Sequence, residues 1–558
     1  MHRSPRARAL AFCVLLAVIH TWPLALHPGR YSRNDNADTE LNEWIMAWVA
    51  HQLPRDPVHL FEANIFHPAH DSLAFSEPLI VPALMGAPLA WGGASPVLVY
   101  NLMLIAGFAL TAFATCLVIE AWTGSLLAGL VAGSLFAFNT HTLTRLAHIQ
   151  GIHIYSLAIA LFAVDHLIRR RSWRSSALLA AAMALAAYTS GYLVVFASVL
   201  IATGLIVRAA EWLPDARRTL VRGAAAAGLA AIVILPVYLP YARVAREQHM
   251  MRTLDIVRDY SATPKGYLAA SGRIHMATWS GSFFKDPIDS FFPGVTILLL
   301  AAAAIVAAFR RRSPGDPFRA RVLMLVAIGI AGFVLSLGTA TPIYGWLFTI
   351  FPPMQGLRAA ARFGNLFLLA VAVLGGMAVG NLLSTEAGSQ TSGSLSGVRR
   401  HADRRRWLAI AAILLVNIES LRAPFTYRDF DGIPRIYNLL ALEPGPVVVA
   451  EQPFYPRWAI FQNGAYVLAS TAHWQPLMNG YSGYTPASYQ HYADSFWYFP
   501  EERAIQAMKD AGVTHVVVHP GGFGRDAEAV AKAVERRTDF ELLAIAARDG
   551  SRLYRLKH

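Results

Sequence analysis

The feature that most constrains this chain is a series of eleven apolar stretches, most of them nearly long enough to cross a membrane as a helix. A helix needs about 20 residues to cross about 30 Å of hydrocarbon. We predict spans near residues 9–28, 97–119, 124–138, 151–168, 174–189, 192–208, 223–241, 293–309, 322–338, 363–383 and 407–423. Only 15% of the residues are charged, whereas soluble proteins have about 25%. A polytopic α-helical membrane protein is therefore expected.

The positive charges are distributed as in a membrane protein with a cytoplasmic N-terminus. Arginine clusters occupy alternate loops, around residues 3–8, 169–174, 208–222, 310–321 and 399–406. Together these clusters carry more positive charge than the whole chain, whose net charge is +13. Because cytoplasmic loops are enriched in Arg and Lys, the N-terminus is expected inside and the C-terminus outside. The charge therefore reflects topology, and no nucleic-acid partner is expected.

Two segments have a second interpretation. The first span is basic and then apolar, so it could be a signal peptide, although no small-residue cleavage site follows it closely. Within residues 340–362, the apolar stretch 344–351 is too short to cross a membrane. Pro352 and Pro353 then stop any helix. We interpret residues 340–362 as an outward-facing half-helix or re-entrant turn. Residues 384–398 form a low-complexity linker expected on the inside.

The spans divide the chain into a membrane domain, residues 1–423, and an external α/β domain, residues 424–558. The membrane domain carries a large first external loop, residues 29–96, and a second external segment, residues 242–292. The tail pattern predicts helices at 433–442, 501–511 and 526–537, and strands at 447–450, 513–519, 540–546 and 552–556. We expect both the loop and the tail on the outer side of the membrane.

The first external loop contains the strongest acidic candidates. Leu41, Ile45 and Trp48 recur at helical spacing, which predicts an amphipathic helix at the membrane interface. Asp38 opens this helix, where it is either an N-cap or a catalytic carboxylate, with about equal weight for each. Glu40, considered by itself, is expected to be solvated.

Further polar residues are expected on the same side. Glu77, near the next span, is either the partner of an outside arginine or a second acidic site residue. Arg145 and His148 lie at a membrane edge, in the connection between two spans. The loop histidines lack the spacing of metal ligands, so a zinc site is not favoured.

Arg358 and Arg362 break the positive-inside pattern if residues 340–362 are external. Their spacing of four residues predicts one helix face. A bound phosphate would explain these two arginines, because a guanidinium group donates two parallel hydrogen bonds to phosphate oxygens. An ion pair with Asp38, Glu40 or Glu77 explains them equally well.

The tail also contains a Gly- and Tyr-rich segment, residues 479–486, with further aromatic residues after it. Aromatic rings near a membrane surface can stack on sugars or lipid headgroups. They can also form the surface by which the tail docks on the membrane core, and this second interpretation is favoured.

These residues resemble those of a known class. The runs ADTELNEWIMAWVAHQL, ANIFHP, LAFSEP, RLAHIQ, RAAARF and NGYSGYTP, together with the order of spans, loop and tail, resemble bacterial members of the GT-C class of integral-membrane glycosyltransferases. This class is related to protein O-mannosyltransferases, aminoarabinose transferase and oligosaccharyltransferase.

The resemblance implies a function. Such enzymes transfer a sugar from a polyprenyl-phosphate carrier to an acceptor on the outer face, here of a bacterial inner membrane. It assigns the catalytic role to Asp38, acting on the acceptor or through a divalent metal ion, with Glu40 and Glu77 as further acidic residues. Phosphate binding then falls to Arg358, Arg362, Arg145 and His148. The chain has Asp38-Thr39-Glu40 where the class has an adjacent Asp-Glu pair.

Two other functions are considered. A transporter or flippase for lipid-linked envelope precursors predicts paired polar residues within the spans and an inverted repeat. A non-catalytic assembly protein on the same scaffold predicts that Asp38 faces no cavity.

Overall fold

A computed structural model describes residues 4–33, 36–311, 313, 315–384 and 395–558 of the chain. Arg3 of the first basic cluster and residues 385–394 of the predicted linker lie outside the described residues. Two compact units are distinguished by their internal contacts. The first unit comprises residues 1–26, 102–236 and 251–426, and the second comprises residues 27–101, 237–250 and 427–558. The compact units therefore do not follow a single division at residue 423, because the first external loop belongs to the unit that contains the tail.

Each predicted span has a helix near it. These helices are Pro5–His20, Pro96–Thr123, Leu126–Ala137, Tyr155–Arg170, Trp173–Ala187, Gly191–Val207, Ala216–Glu247, Val295–Arg310, Pro317–Ser336, Gly364–Ser384 and Leu395–Ser420. In the described part of the chain, five helical segments are long and apolar enough to cross a membrane: Pro96–Thr123, Ile149–Arg170, Ala209–Glu247, Pro317–Ser336 and Ala360–Ser384. The chain thus has a membrane-type helical fold, and eleven crossings remain a prediction.

The helix Gly364–Ser384 forms the centre of the first unit. It packs against Leu126–Ala137, Val295–Arg310 and Pro317–Ser336. Small residues let these helices approach closely, as is typical of helix packing in membranes. At Gly332, for example, a Cβ atom would come within 2.7 Å of the Phe367 backbone nitrogen.

The segment 340–362 contains no helix long enough to cross. A nine-residue helix, Pro342–Ile350, is followed by the 3-10 turns Pro352–Gly356 and Ala360–Phe363. This agrees with the predicted half-helix. The first unit also contains four short helices: Thr140–Leu143, Ala209–Trp212, Leu254–Asp259 and Arg273–Thr278.

Two acidic residues near helix ends in this unit have structural partners. Asp165 accepts hydrogen bonds from Arg208 and from Arg321, the latter at 2.8 Å. Glu419 accepts the backbone N–H of Thr296 at 3.1 Å, in the first turn of the helix Val295–Arg310, where a carboxylate is favourable. Both residues thus have hydrogen-bond partners within this unit.

The second unit combines helices with a four-stranded sheet. Its helices are Ala37–Gln52, Ile80–Trp91, Tyr437–Leu440, Gly464–Ala469, Ala487–Phe496, Glu502–Asp510 and Ala527–Glu535. The sheet order is Val449–Gln452, His515–Val518, Arg552–Leu556 and Phe540–Ile545, with the first pair parallel and the others antiparallel. A two-stranded pairing joins Tyr31–Ser32 to Arg428–Asp429.

The predicted tail strands are all present. The two parallel strands, Val449–Gln452 and His515–Val518, are buried on both faces, which explains why the predicted segments 447–450 and 513–519 are rich in valine. The helix expected at 433–442 is reduced to Tyr437–Leu440, and the pattern missed Gly464–Ala469 and Ala487–Phe496.

Candidate functional site

The first candidate region, in the second unit, begins at the helix Ala37–Gln52, which we call the loop helix. Its N-cap is Asn36, whose side chain accepts the backbone N–H of Asp38 at 2.9 Å. The N-cap interpretation of Asp38 is therefore wrong, because the residue lies inside the first turn. Its carboxylate instead accepts a hydrogen bond from the Tyr481 hydroxyl at 2.7 Å.

The prediction of an interfacial, amphipathic loop helix is also wrong. Trp44 and Trp48 are only 1% and 5% exposed. Their indole nitrogens donate to the Asn64 side chain at 3.2 Å and to the Leu60 carbonyl at 2.8 Å. The helical periodicity therefore marks burial within the second unit, since periodicity alone does not distinguish protein from lipid as the apolar surroundings.

Glu40 is half-buried rather than solvated. Its carboxylate lies against the backbone of Gly464, where an added Cβ atom would overlap it. Burial raises the pKa of Glu40 from 4.5 to about 7, opposed by the charge of Arg428. One turn further, the fully buried Glu43 accepts the Ser32 hydroxyl at 3.0 Å, and burial holds its pKa well above the usual value. Glu40 can therefore hold a proton near neutral pH.

Glu77 lies in the segment between the turn Ser72–Phe75 and the helix Ile80–Trp91. It is half-buried, and the carbonyl of the preceding Ser76 accepts the Tyr241 hydroxyl at 2.7 Å. The same segment lies beside Gly483, where an added Cβ atom would be 3.1 Å from the Phe75 carbonyl oxygen.

Residues 479–486, which we call the tyrosine loop, therefore contact two of the predicted acidic segments. Tyr481 contacts Asp38, and Gly483 packs next to the segment that leads to Glu77. This tail segment therefore packs on the first external loop within the second unit, and its docking on the membrane core stays a prediction.

The second candidate region is an open pocket in the first unit, with about 410 Å³ of space when the solvent at its mouth is included. Its lining includes Arg145, His148 and Arg362, so the structure brings together three of the four predicted phosphate ligands. Arg145 lies 3.2 Å from a ring nitrogen of His148, and the Arg362 guanidinium lies 4.5 Å from the centre of the Tyr192 ring. The lining residues, all within the described chain, include no Asp or Glu. We call this region the basic pocket; its charge favours an anion.

Three further polar residues line the basic pocket and are at most 8% exposed: His141, Gln150 and Asn365. The His141 Nδ1, Gln150 Oε1 and Asn365 Oδ1 atoms are buried and have no hydrogen-bond partner among the described residues. Burial, with the charges of Arg145 and Arg362, holds the pKa of His141 well below its usual value. Because buried polar atoms normally have partners, these atoms are suited to hydrogen bonds with a bound polar molecule.

Arg358 is separated from this arrangement. The prediction of a shared helix face for Arg358 and Arg362 is wrong, because the backbone is extended at Leu357 and only Ala360–Phe363 is helical. The Tyr192 hydroxyl accepts the backbone N–H groups of Arg358 and Ala359 at 3.1 and 3.0 Å, which replaces helical hydrogen bonding there. The Arg358 guanidinium lies 5.2 Å from the centre of the Tyr260 ring.

Among the described residues, no group of three or more His, Cys, Asp or Glu side chains could hold a metal ion.

Sequence reasoning missed several residues of both regions. Tyr481 was visible as part of an aromatic segment, but nothing in the sequence paired it with Asp38. Tyr192, His141 and Asn365 lie within or beside apolar stretches, where a single polar residue gives no pattern. Gln150 is part of the run RLAHIQ that contributes to the resemblance, which gave it no role of its own.

Comparisons with known proteins identify the fold. No protein-family model and no curated protein sequence matches the chain. The structure of arabinofuranosyltransferase AftD from mycobacteria is similar over 99% of this chain and 40% of that chain, with 16% identity and a TM-score of 0.57. A mutant form of the same enzyme matches over 99% and 41%, with 16% identity and a TM-score of 0.56. ArnT from Cupriavidus metallidurans matches over 98% of this chain and 97% of that chain at 12% identity. Its TM-score of 0.48 is too low to support a structural argument.

The present chain thus spans about 40% of the length of the arabinofuranosyltransferase it matches. At this identity the likeness shows the fold alone. The resemblance to the GT-C glycosyltransferases stated from the sequence is confirmed at the level of the fold.

Proposed function

We propose that this protein is a membrane glycosyltransferase that moves a sugar from a polyprenyl-phosphate carrier to an extracytoplasmic acceptor, which is an envelope glycan, lipid or protein. The observation that carries the proposal is Asp38. Its backbone N–H is bound by the Asn36 cap and its carboxylate is oriented by the Tyr481 hydroxyl at 2.7 Å. An oriented carboxylate in the large loop of a chain with this fold is suited to act as a general base.

The proposed reaction is a displacement at the anomeric carbon of the sugar. Asp38 accepts the proton of the acceptor hydroxyl as its oxygen forms the new glycosidic bond. The bond between the anomeric carbon and the carrier phosphate breaks, and its electron pair leaves with the phosphate. The products are the glycosylated acceptor and polyprenyl phosphate. Glu40 and Glu77 are proposed as further acidic residues of this region.

The basic pocket is proposed to bind the carrier phosphate. Arg145 and Arg362 supply the positive charge that stabilises the departing phosphate, and His148 adds a donor. The buried oxygens of Gln150 and Asn365 are acceptors for hydroxyl groups, which a sugar carries. Arg358 remains a proposed contributor to phosphate binding.

The first donor to test is an arabinofuranosyl carrier lipid, because the fold is similar to that of an arabinofuranosyltransferase. Mannosyl and aminoarabinosyl carriers form the comparison set. We propose the bacterial inner membrane as the location, with the N-terminus in the cytoplasm and the tail outside.

The experiment that tests the proposal is Asp38→Asn. Labelled polyprenyl-phosphoarabinofuranose is added to membranes of the native cell containing the wild-type protein or the variant, and label entering product is measured. We expect a loss of transfer of at least about 100-fold, since a positioned base contributes about that much or more. Glu528→Gln, at an exposed carboxylate paired with Lys532, is the control and should leave transfer unchanged. Full transfer by a well-expressed Asp38→Asn variant would refute the role of Asp38.

A further inference from the structure

The tyrosine loop is fixed to the second unit at its first residue. Asn479 is fully buried. Its side chain accepts the Glu451 backbone N–H at 2.7 Å and donates to the Glu451 carbonyl at 3.1 Å. Its own carbonyl accepts the Phe66 backbone N–H at 3.1 Å. The start of the loop is therefore bound both to the strand Val449–Gln452 and to the first external loop.

Two glycines bring the loop close to its neighbours. At Gly480 an added Cβ atom would overlap the Phe66 ring, and the Gly480 carbonyl accepts the Asn463 side chain at 3.0 Å. At Gly483 an added Cβ atom would be 3.1 Å from the Phe75 carbonyl oxygen. Tyr481 lies between these two close contacts, so its backbone position is restricted from both sides.

The far end of the loop is fixed by a second tyrosine. The Tyr484 hydroxyl donates to the Gln248 carbonyl at 2.9 Å, and its ring lies 5.8 Å from the Phe75 ring. This tyrosine therefore has a neutral backbone acceptor. Tyr481, three residues earlier, donates to the carboxylate of Asp38.

We propose that Tyr481 is a positioning residue for Asp38, through which the tail controls the rate of sugar transfer. This inference rests on the proposed function. A hydrogen bond to a carboxylate is stronger than one to a neutral acceptor, and it fixes the plane of the carboxylate. The acceptor hydroxyl then meets a carboxylate of fixed orientation. The loop supplies a donor that lies 443 residues away from Asp38 in the chain.

The test is Tyr481→Phe, which removes one oxygen and keeps the ring. Transfer is measured with labelled polyprenyl-phosphoarabinofuranose as the probe and native membranes as the acceptor source. We expect kcat to fall about 10- to 100-fold, since a small misplacement of a catalytic group can cost about 100-fold. KM for the donor should stay unchanged, and the unfolding temperature should fall no more than on the matched loss of the Tyr484 hydroxyl. Tyr484→Phe, the matched change in the same loop, should keep the wild-type kcat.

A double-mutant cycle distinguishes positioning from a structural role. If Tyr481 acts through Asp38, then Asp38→Asn combined with Tyr481→Phe should be no slower than Asp38→Asn alone, within about twofold. A further loss in the double variant that matches the loss from Tyr481→Phe alone would overturn the inference. So would equal losses in Tyr481→Phe and Tyr484→Phe.

The two proposals fail in different ways. An active Asp38→Asn variant refutes the catalytic role of Asp38. An inactive Asp38→Asn variant with a fully active Tyr481→Phe variant leaves the proposed function in place and refutes only the positioning role.

Discussion

Glu40 gives a prediction that depends on burial and needs no knowledge of the substrate. Its pKa in the folded chain is about 7, against 4.5 for the free side chain, mainly because of burial. At about 1.4 kcal/mol for each tenfold change in acidity, ionising this carboxyl in the folded chain costs about 3 kcal/mol. Replacement by Gln removes the ionisation and keeps the shape, so Glu40→Gln should stabilise the second unit at alkaline pH.

The direction of the pH dependence follows from linkage. Below about pH 4.5 the carboxyl is protonated in the folded and unfolded chains, so it contributes no difference. Between pH 4.5 and about 7 the unfolded chain loses the proton while the folded chain retains it, so stability falls as pH rises. Above about pH 7 the full penalty of about 3 kcal/mol persists. The advantage of Glu40→Gln should therefore be small at pH 5 and complete at pH 8.

The assay is thermal unfolding of the detergent-solubilised protein at pH 5 and pH 8. A change of 1 kcal/mol shifts the midpoint by about 2–4 °C for a unit of roughly 200 residues, so Glu40→Gln should gain several degrees at pH 8. Glu62→Gln, at an exposed carboxyl of the same external loop, is the control. Equal effects of Glu40→Gln at both pH values, or a loss of stability at pH 8, would refute the reasoning.

Two further predictions concern the basic pocket and the tyrosine loop. Arg362→Gln should raise the donor KM about 10-fold or more, because a charge-assisted phosphate contact is lost. Arg358 lies outside the pocket lining, so Arg358→Gln should raise the donor KM less. Equal effects of the two variants in a donor-titration assay would contradict the assignment. Gly480→Ala should lower the free energy of unfolding by about 1–3 kcal/mol, as expected when a methyl group is forced into packed space. The added methyl group would overlap the Phe66 ring. An unchanged unfolding midpoint would show that the loop adjusts freely.

Much of the helical framework was predictable because it follows from local composition. A long apolar stretch has few alternatives to a helix, since backbone polar groups must be satisfied within the segment. The two parallel tail strands were predictable for a similar reason, because they are buried on both faces and lie in valine-rich segments.

Other predictions failed where a competing residue decided the outcome. Asp38 was compatible with a cap, but Asn36, two residues earlier and itself a favoured cap, takes that position. Arg358 and Arg362 have helical spacing, but the Tyr192 hydroxyl binds the intervening backbone and keeps it extended. Tyr192 is far away in the chain, so the local pattern could not identify it.

The sequence by itself determined a helical membrane-type chain, the location of its acidic and basic candidates, and the resemblance to a class. Only the tertiary structure decided which of these side chains have partners. It placed Tyr481 on Asp38, put Glu40 in partly buried surroundings, and separated Arg358 from the pocket that contains Arg145 and Arg362. The physical reason is that apolar spans follow from neighbouring residues, whereas orientation and ionisation of a side chain depend on atoms hundreds of residues away.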